Sequence, residues 1–272
     1  MRIRICQTTT YVYDTPPTGV TQMLRLTPRN HDGQYTLDWR IDLSRDCLLH
    51  QHEDAFGNIT HSFTAEGPFD ELTINVEGEV DTQDTNGVVS GTLERFPPSL
   101  FLRETPLTLP DDGIIDFAEA VRTDSSGEPL ALLHTLMSAL NDVMEVNSAQ
   151  STSNAAQAFT ARRGSDRDLA HVFIAVARHL GIPARYIGGH CCDDGRSARE
   201  ACHGWTEAHV DTLGWIGFDP ANCICATDAY VRVAVGLDYL GAAPVRGQRF
   251  GGSSETEKTT VQIVQAGQQS QN

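Results

Sequence analysis

Residues 163–190, RGSDRDLAHVFIAVARHLGIPARYIGGH, contain the helix on which the assignment of the fold depends. Over 168–180 the apolar residues recur at the spacing of one face of a helix. This stripe consists of Leu169, Val172, Phe173, Val176 and Leu180. Gly181 followed by Pro183 is a typical helix end, because glycine adopts the left-handed cap and proline cannot continue the helix. The stretch therefore predicts an amphipathic helix followed at once by a strand.

The start of this helix is acidic. Ser165 and Asp168 resemble a capping box, in which each residue satisfies a backbone N–H that the helix leaves free. Asp166 adds a carboxylate to the first turn, where the helix dipole favours negative charge. A stable helix start explains Asp166 without any further role. The alternative is that Asp166 acts as an acid, a base or a ligand for a cationic group.

Three strand-like runs follow the helix, at 184–190, 203–210 and 214–219. His203 begins the second run, and Asp219 ends the third directly before a proline. This order of helix, strand, strand with histidine and strand ending in Asp-Pro is the layout of papain-like cysteine enzymes. In that layout a nucleophile at the helix start is activated by the histidine, and the aspartate orients the histidine.

Longer motifs make the resemblance specific. The helix segment, together with ACHGWTEAHVDTLGWIGFDPAN at 201–222, resembles the bacterial transglutaminase-like family. The segments TPRNHDGQ, EDAFGN and EGPFDELT in the first hundred residues resemble that family's N-terminal β region, and GLDYLGAAPVRGQRFGG resembles its tail. The resemblance implies an α+β fold: an N-terminal antiparallel β sandwich or barrel, followed by a papain-like, transglutaminase-like core.

The chain departs from the family at the nucleophile. The family's helix-start motif resembles Arg-Gly-Val-Cys-Gln-Asp-Phe-Ala-His, and here Asp166 stands at the cysteine and Arg167 at the following glutamine. The resemblance thus implies a triad of Asp166, His203 and Asp219. A carboxylate is a poor nucleophile toward an amide, because its acyl-enzyme would be a mixed anhydride. We therefore expect no thiol-dependent transamidase or protease activity.

Three functional readings stay open on the sequence. In the first, the chain is a pseudoenzyme that binds a peptide or amide-bearing ligand or serves as a partner subunit, with Trp205 and Arg167 as ligand-binding candidates. In the second, it is an amide or peptide-bond hydrolase that uses Asp166 with His203 and Asp219, with or without a metal. In the third, it is an interaction module whose N-terminal β region carries the function.

The cysteines provide the alternatives to a missing thiol. Cys202 precedes His203 on a predicted strand, so its side chain should point to the opposite side. Cys191 or Cys192 could instead reach the site from the preceding strand. We predict no cofactor and no metal site, because the spacing of metal-binding pairs is absent from the sequence. An open site made by the three triad residues is the remaining metal hypothesis.

The pattern of elements divides the chain into four parts. Short β-rich runs punctuated by turns predict a β domain over 1–100, and 101–128 reads as a connector. The transglutaminase-like core is predicted at 129–245, opening with helices over 129–143 and 154–162. Residues 246–272 are expected to form a C-terminal strand and a polar tail.

The net charge and the cysteine content limit which classes of partner and which cellular compartment are expected. The formal net charge is −16 and the pI is near 4.9. Such a surface repels phosphate backbones and anionic lipids, so we expect neither nucleic acid nor membrane as a partner, and a basic peptide or protein is favoured. The N-terminus lacks the apolar region of a signal peptide, and the seven cysteines are odd in number. These features predict reduced thiols and a cytoplasmic protein. The oligomeric state is not readable.

Overall fold

The computed structural model describes residues 1–125, 127–147, 154–192 and 202–265. Its helices and strands follow in chain order. The helices are α1 (Asp112–Asp124), α2 (Pro129–Val143), α3 (Ala155–Ala161), α4 (Asp166–His179) and α5 (Tyr239–Ala242), with a 3₁₀ turn at Pro98–Leu102. The strands are β1 (Arg2–Tyr13), β2 (Gly19–Thr27), β3 (Gln34–Leu43), β4 (His50–Glu53), β5 (Ile59–Glu66), β6 (Glu71–Thr82), β7 (Val88–Val89), β8 (Glu145–Val146), β9 (Arg163–Gly164), β10 (Ala184–Cys191), β11 (His203–Val210), β12 (Gly214–Asp219), β13 (Ile224–Cys225), β14 (Tyr230–Gly236), β15 (Val245–Phe250) and β16 (Glu255–Gln265).

The front of the molecule is a sandwich of two antiparallel four-stranded sheets, ordered β16-β1-β6-β3 and β15-β2-β5-β4. Every second side chain of β1 is buried, as expected for a strand with one face on a core. The apolar side chains between the sheets come from both of them, and include Tyr11, Tyr13, Val20, Leu24, Phe63, Leu72 and Ile74. The predicted α+β class with an N-terminal antiparallel sandwich is confirmed.

Both ends of the chain build this sandwich. β15 pairs with β2, and β16 pairs with β1 from Ile3↔Gln265 to Tyr13↔Glu255. Alternation in β16 buries Val261 and Ile263 against the core cluster. The strand predicted within 246–272 thus completes the sheet that β1 begins, and the predicted tail beyond residue 265 lies outside the described residues.

The second layer is a sheet ordered β13-β12-β11-β10-β14, with β7 paired to β12, that packs against the helices. α4 is the central helix: every residue from Asp168 to Arg178 is buried. It contacts β10 and β11 on one side and α1, α2 and α3 on the others. A helix enclosed on all sides is rigid, and its first turn therefore holds its side chains in one place.

Helix α1 lies in the stretch that was predicted to be a connector, 101–128. Its buried residues Ile114, Ala118 and Val121 follow helical spacing, and the Asp111 carboxylate caps it by accepting a hydrogen bond from the Ile114 N–H at 2.9 Å. The helical layer therefore begins well before residue 129. In the described ranges, no helix is long and apolar enough to cross a membrane.

Candidate active site

The first turn of α4 is fixed by the predicted capping box. The Ser165 Oγ accepts from the Asp168 N–H at 3.4 Å, and the Asp168 Oδ2 accepts from the Ser165 N–H at 2.8 Å. Gly164 is required beside it, because a Cβ there would lie 2.6 Å from the Asp168 Cβ. Asp166 is the first residue of the helix, so its carboxylate sits at the helix start.

His203, at the start of β11, lies between two carboxylates. Its Nδ1 is 2.8 Å from Asp166 Oδ2, and its Nε2 is 2.6 Å from Asp219 Oδ2. Burial alone would lower the pKa of His203, but the charge of Asp219 and the hydrogen bond to Asp166 raise it to about 9. At neutral pH the ring is therefore an imidazolium that donates a hydrogen bond on each side.

The Asp166 carboxylate is held by backbone as well as by His203. Its Oδ2 also accepts from the Gly204 N–H at 2.8 Å, and its Oδ1 accepts from the Arg167 N–H at 2.8 Å. Burial raises the pKa of Asp166, but the hydrogen bond and charge of His203 outweigh burial and hold the pKa below its usual value. Asp166 is thus ionised, and 27% of its side chain stays exposed.

Asp219 is fully buried and its two oxygens are surrounded by donors. Oδ2 accepts from the Tyr230 hydroxyl at 2.6 Å and from the Asn222 Nδ2 at 2.7 Å, and Oδ1 accepts from the Ala221 N–H at 3.0 Å. Neither Tyr230 nor Asn222 was predicted as a site residue. Asn222 stands in the quoted FDPAN segment and could have been found there, whereas Tyr230 lies on β14, a strand that was not predicted.

Trp205 supports the imidazole from within the sheet. Its ring stacks with His203 at 6.0 Å between centroids and 23° between planes, and it meets Tyr230 edge-on at 5.3 Å. Only 2% of Trp205 is exposed. An indole buried to this extent offers no open face to a ligand, so we assign Trp205 to support of His203 instead of ligand binding.

Arg167, the other predicted ligand-binding residue, lies half-buried beside α5. Its guanidinium sits 4.2 Å above the ring of Tyr239, a cation–π contact. The Tyr239 N–H donates to His171 Nε2 at 3.0 Å. Burial lowers the pKa of His171 to about 3, with Arg167 and Arg178 adding to the effect, so this histidine is neutral. Arg167 and His171 together attach α5 to α4.

Cys202 does not take up the missing role. The Cys202 Sγ donates to the Gln7 Oε1 on β1 at 3.3 Å, and burial raises the pKa of this thiol to about 12. A thiol that stays protonated is a poor nucleophile. Cys191 is buried in the cluster with Trp205 and Tyr230.

The geometry does not favour the open metal site. The two nitrogens of His203 point in opposite directions, each toward one carboxylate, so the three predicted ligands do not converge on one point. Over the part of the chain that the structure describes, no other group of three or more His, Cys, Asp or Glu residues is arranged to hold a metal ion.

Two sequence families match this chain. The bacterial transglutaminase-like N-terminal region matches residues 3–81, and the transglutaminase-like superfamily matches residues 116–220. These matches support the predicted transglutaminase-like family for the sandwich and for the core. The second match begins within α1, so the core reaches further toward the N-terminus than residue 129.

Individual relatives cover the same length. The chain is 27% identical to an uncharacterised protein of Mycobacterium leprae, over 97% of this chain and 98% of that protein. It is 25% identical to an uncharacterised protein of Mycobacterium bovis, over 90% and 87% of the two chains. Among solved structures, a protein of Cytophaga hutchinsonii described as a proposed cysteine protease has a TM-score of 0.76 at 20% identity, over 98% of this chain and 91% of that one. The fold is therefore shared from end to end.

Proposed function

We propose that this chain is a transglutaminase-like homologue without thiol-dependent transamidase or protease activity, and that it holds a peptide or amide-bearing ligand, or a partner protein, at the start of α4. One observation carries the proposal. The Asp166 carboxylate lies 2.8 Å from His203 Nδ1, at the helix start where the family resemblance places the thiol.

The chemistry of the three residues supports the loss of activity. Acyl transfer needs a nucleophile and a base that takes its proton. The ionised Asp166 has no proton to give, and attack by it would produce a mixed anhydride. With a pKa of about 9, only about 1% of His203 is neutral at pH 7. The cluster therefore lacks both the nucleophile and the free base.

The same cluster is suited to hold a ligand. The Asp166 side chain is 27% exposed, and an N–H or cationic group of a ligand can donate to its carboxylate. The net charge of −16 favours a basic peptide or protein. A cytoplasmic location with reduced thiols stays a prediction, as does the absence of a cofactor.

Hydrolysis with Asp166 as the base is the competing proposal, and it has less support. A carboxylate with a lowered pKa is a weak base at neutral pH. Oδ2 already accepts from both His203 and Gly204, and Oδ1 accepts from Arg167, so only one lone pair of Oδ1 is left to take a proton from water.

The test compares native protein with Asp166→Cys on a panel of peptide amides, for hydrolysis and for transfer to an amine. We expect native protein to be silent and the cysteine variant to turn over at least about 100-fold faster, because the new thiol would face His203 Nδ1. The double variant Asp166→Cys with His203→Gln is the matched control and should be silent.

Native turnover that Asp166→Ala abolishes would contradict the proposal and favour the hydrolase. In that case, loss of turnover with a chelator and its return with zinc would identify a metal-assisted reaction.

A further inference from the structure

The outer strand of the first sheet is long and regular. β16 has eleven residues and pairs with β1 along its whole length without a register shift. It stands at the end of its sheet, so within the described ranges β1 is the only strand that pairs with it. An unpaired strand edge of this length is a template for a further strand.

The backbone groups that face this edge can be identified. The Asp14 N–H donates to the Ser254 carbonyl, whereas the Tyr13 N–H donates to Asp70 on the other side of β1. Residues of an antiparallel ladder alternate in the side to which their N–H and C=O point. The even-numbered residues of β16 therefore bond to β1, and the odd-numbered residues from Glu255 to Gln265 point their N–H and C=O groups to the open edge.

The other three sheet edges of the sandwich are protected in ways that β16 is not. β3 carries a register shift between Thr36 and Asp38, which disrupts its ladder. β4 has four residues and β15 has six. Bulges and short length are the usual means of preventing strand addition, and β16 has neither.

This edge is continuous with the site at α4. The odd-numbered side chains of β16 lie on the same face as their partners on β1, with Glu257 opposite Tyr11 and Val261 opposite Gln7. Gln7 accepts from Cys202, the residue before His203. After burial, the charge of Glu257 is among the causes that raise the pKa of Cys202 and of Tyr239, so Glu257 lies near the start of α4.

The face of β16 that carries its odd-numbered side chains includes acidic residues. Glu257 is exposed, and its charge acts on Cys202 and Tyr239 beside the site, whereas Glu255 pairs with Arg249 at 3.4 Å. Lys258 is the only lysine of the chain, and its even position places its side chain on the opposite face. An extended chain that lies along β16 would thus meet the carboxylate of Glu257.

We infer that the outer edge of β16 binds an extended, basic peptide segment by strand addition, with a Lys or Arg side chain against Glu257. The segment pairs with the odd-numbered backbone groups of β16 and leads into the cleft at α4. This inference rests on the proposed function, since it names how the peptide ligand of that cleft is held.

The probe is a fluorescein-labelled octapeptide of alternating Thr and Arg, which is basic and favours the extended conformation. Amide exchange of the full chain, followed residue by residue by NMR, should slow at Glu257, Thr259 and Val261 when the peptide binds. The even-numbered amides, already bonded to β1, should not change. Methylation of every second peptide nitrogen should weaken binding at least about tenfold, because the strand pairing is lost.

The matched protein variants separate Glu257 from general charge. Glu257→Gln should bind the Thr–Arg peptide about three- to fivefold more weakly, the range of an exposed ion pair. Glu66→Gln, an exposed glutamate on β5 in the other sheet, should bind as native does. An octapeptide of alternating Thr and Glu should not bind.

Several results would overturn the inference. They are the absence of Thr–Arg binding, equal binding of the methylated peptide, or protection of β16 by a second copy of the chain without peptide. Turnover by Asp166→Cys, measured in parallel, tells the two proposals apart. If that variant cleaves peptides while amide exchange in β16 is unaltered, the proposed function stands and the inference about the edge fails. If amide exchange in β16 slows as expected but the cysteine variant cleaves nothing, the proposed function alone is contradicted.

Discussion

Two buried clusters of charge share strand β11 and differ in what they can do. One is centred on His203, between Asp166 and Asp219, with nitrogen–oxygen distances of 2.8 and 2.6 Å. The other is centred on Glu207, four residues further along the strand, between Arg185 and Arg232 at 2.7 Å each.

The Glu207 carboxylate is fully buried and cannot change its charge near neutral pH. Burial would raise the pKa of Glu207, but Arg232 and Arg185 lower it to about 2. Arg185 also pairs with Glu94 at 2.8 Å and lies 3.8 Å above the ring of Trp215. This arrangement joins β10, β11 and β14 to the segment before the helices, and its role is structural.

The His203 cluster has a centre with a pKa of about 9 and one carboxylate, Asp166, whose side chain is 27% exposed. Because only this cluster has a centre that changes its charge between neutral and mildly basic pH, we propose it, and not the ion pairs of Glu207, as the functional site.

The largest effect should come from breaking the Glu207 cluster. Glu207→Gln leaves two buried guanidinium groups without their shared carboxylate, and we expect the free energy of unfolding to fall by about 3–5 kcal/mol. Urea denaturation measures it. Glu94→Gln is the matched control on the exposed side of Arg185 and should cost less than about 1 kcal/mol. Equal losses in the two variants would contradict a structural role centred on Glu207.

The second-largest effect should be a pH dependence of the free energy of unfolding that comes from the His203 cluster and not from the Glu207 cluster. Burial opposes the charged form, but the two carboxylates raise the pKa of His203 from 6.5 to about 9. A raised pKa stabilises the fold fully below pH 6.5, where native and unfolded states both hold the proton. As pH rises from about 6.5 to about 9 only the unfolded state releases it, so a contribution of roughly 3 kcal/mol is lost.

Denaturation at a series of pH values checks this slope. His203→Gln should remove it, whereas Glu207→Gln should lower stability at every pH and keep the slope. A native protein whose stability is flat over this interval would show that His203 is not held as an imidazolium.

The smallest effect should come from removing the Tyr230 hydroxyl, which donates a hydrogen bond to Asp219. Tyr230→Phe removes a 2.6 Å hydrogen bond to a buried carboxylate, and we expect a loss of about 1–2 kcal/mol together with a higher pKa of His203 in NMR titration, because Asp219 is then less neutralised. Tyr13→Phe is the control, because its buried hydroxyl has no partner in the part of the chain that the structure describes. That variant should be neutral or slightly stabilised, and a similar loss in both would assign the effect to packing.

Much of the core could be predicted from local pattern. α2 has the bounds that the sequence indicated, and α4 begins at Asp166, two residues before the predicted start at residue 168. Helix α1 was missed because its apolar residues are few and separated by acidic ones. β14, YVRVAVG, was not predicted although it is one residue longer than β12, and Tyr230 was missed with it.

The strand pairing that assembles the sandwich could not be predicted from the sequence. Alternation predicted a strand near 259–264, but nothing local indicates that it pairs with β1, more than 240 residues earlier in the chain. The Glu207 cluster was likewise not predicted, because its members come from four separate segments and share no motif. These members are Glu94, Arg185, Glu207 and Arg232.

By itself the sequence determined the helix start, the succession of α4, β10, β11 and β12 along the chain and the identity of Asp166, His203 and Asp219, because helix caps and hydrophobic period act over a few residues. Only the tertiary structure decided that Nδ1 of His203 faces Asp166 while Nε2 faces Asp219, and that His203 is consequently charged. Ring orientation and pKa depend on groups that are distant in the chain and meet only when α4 packs against β11 and β12.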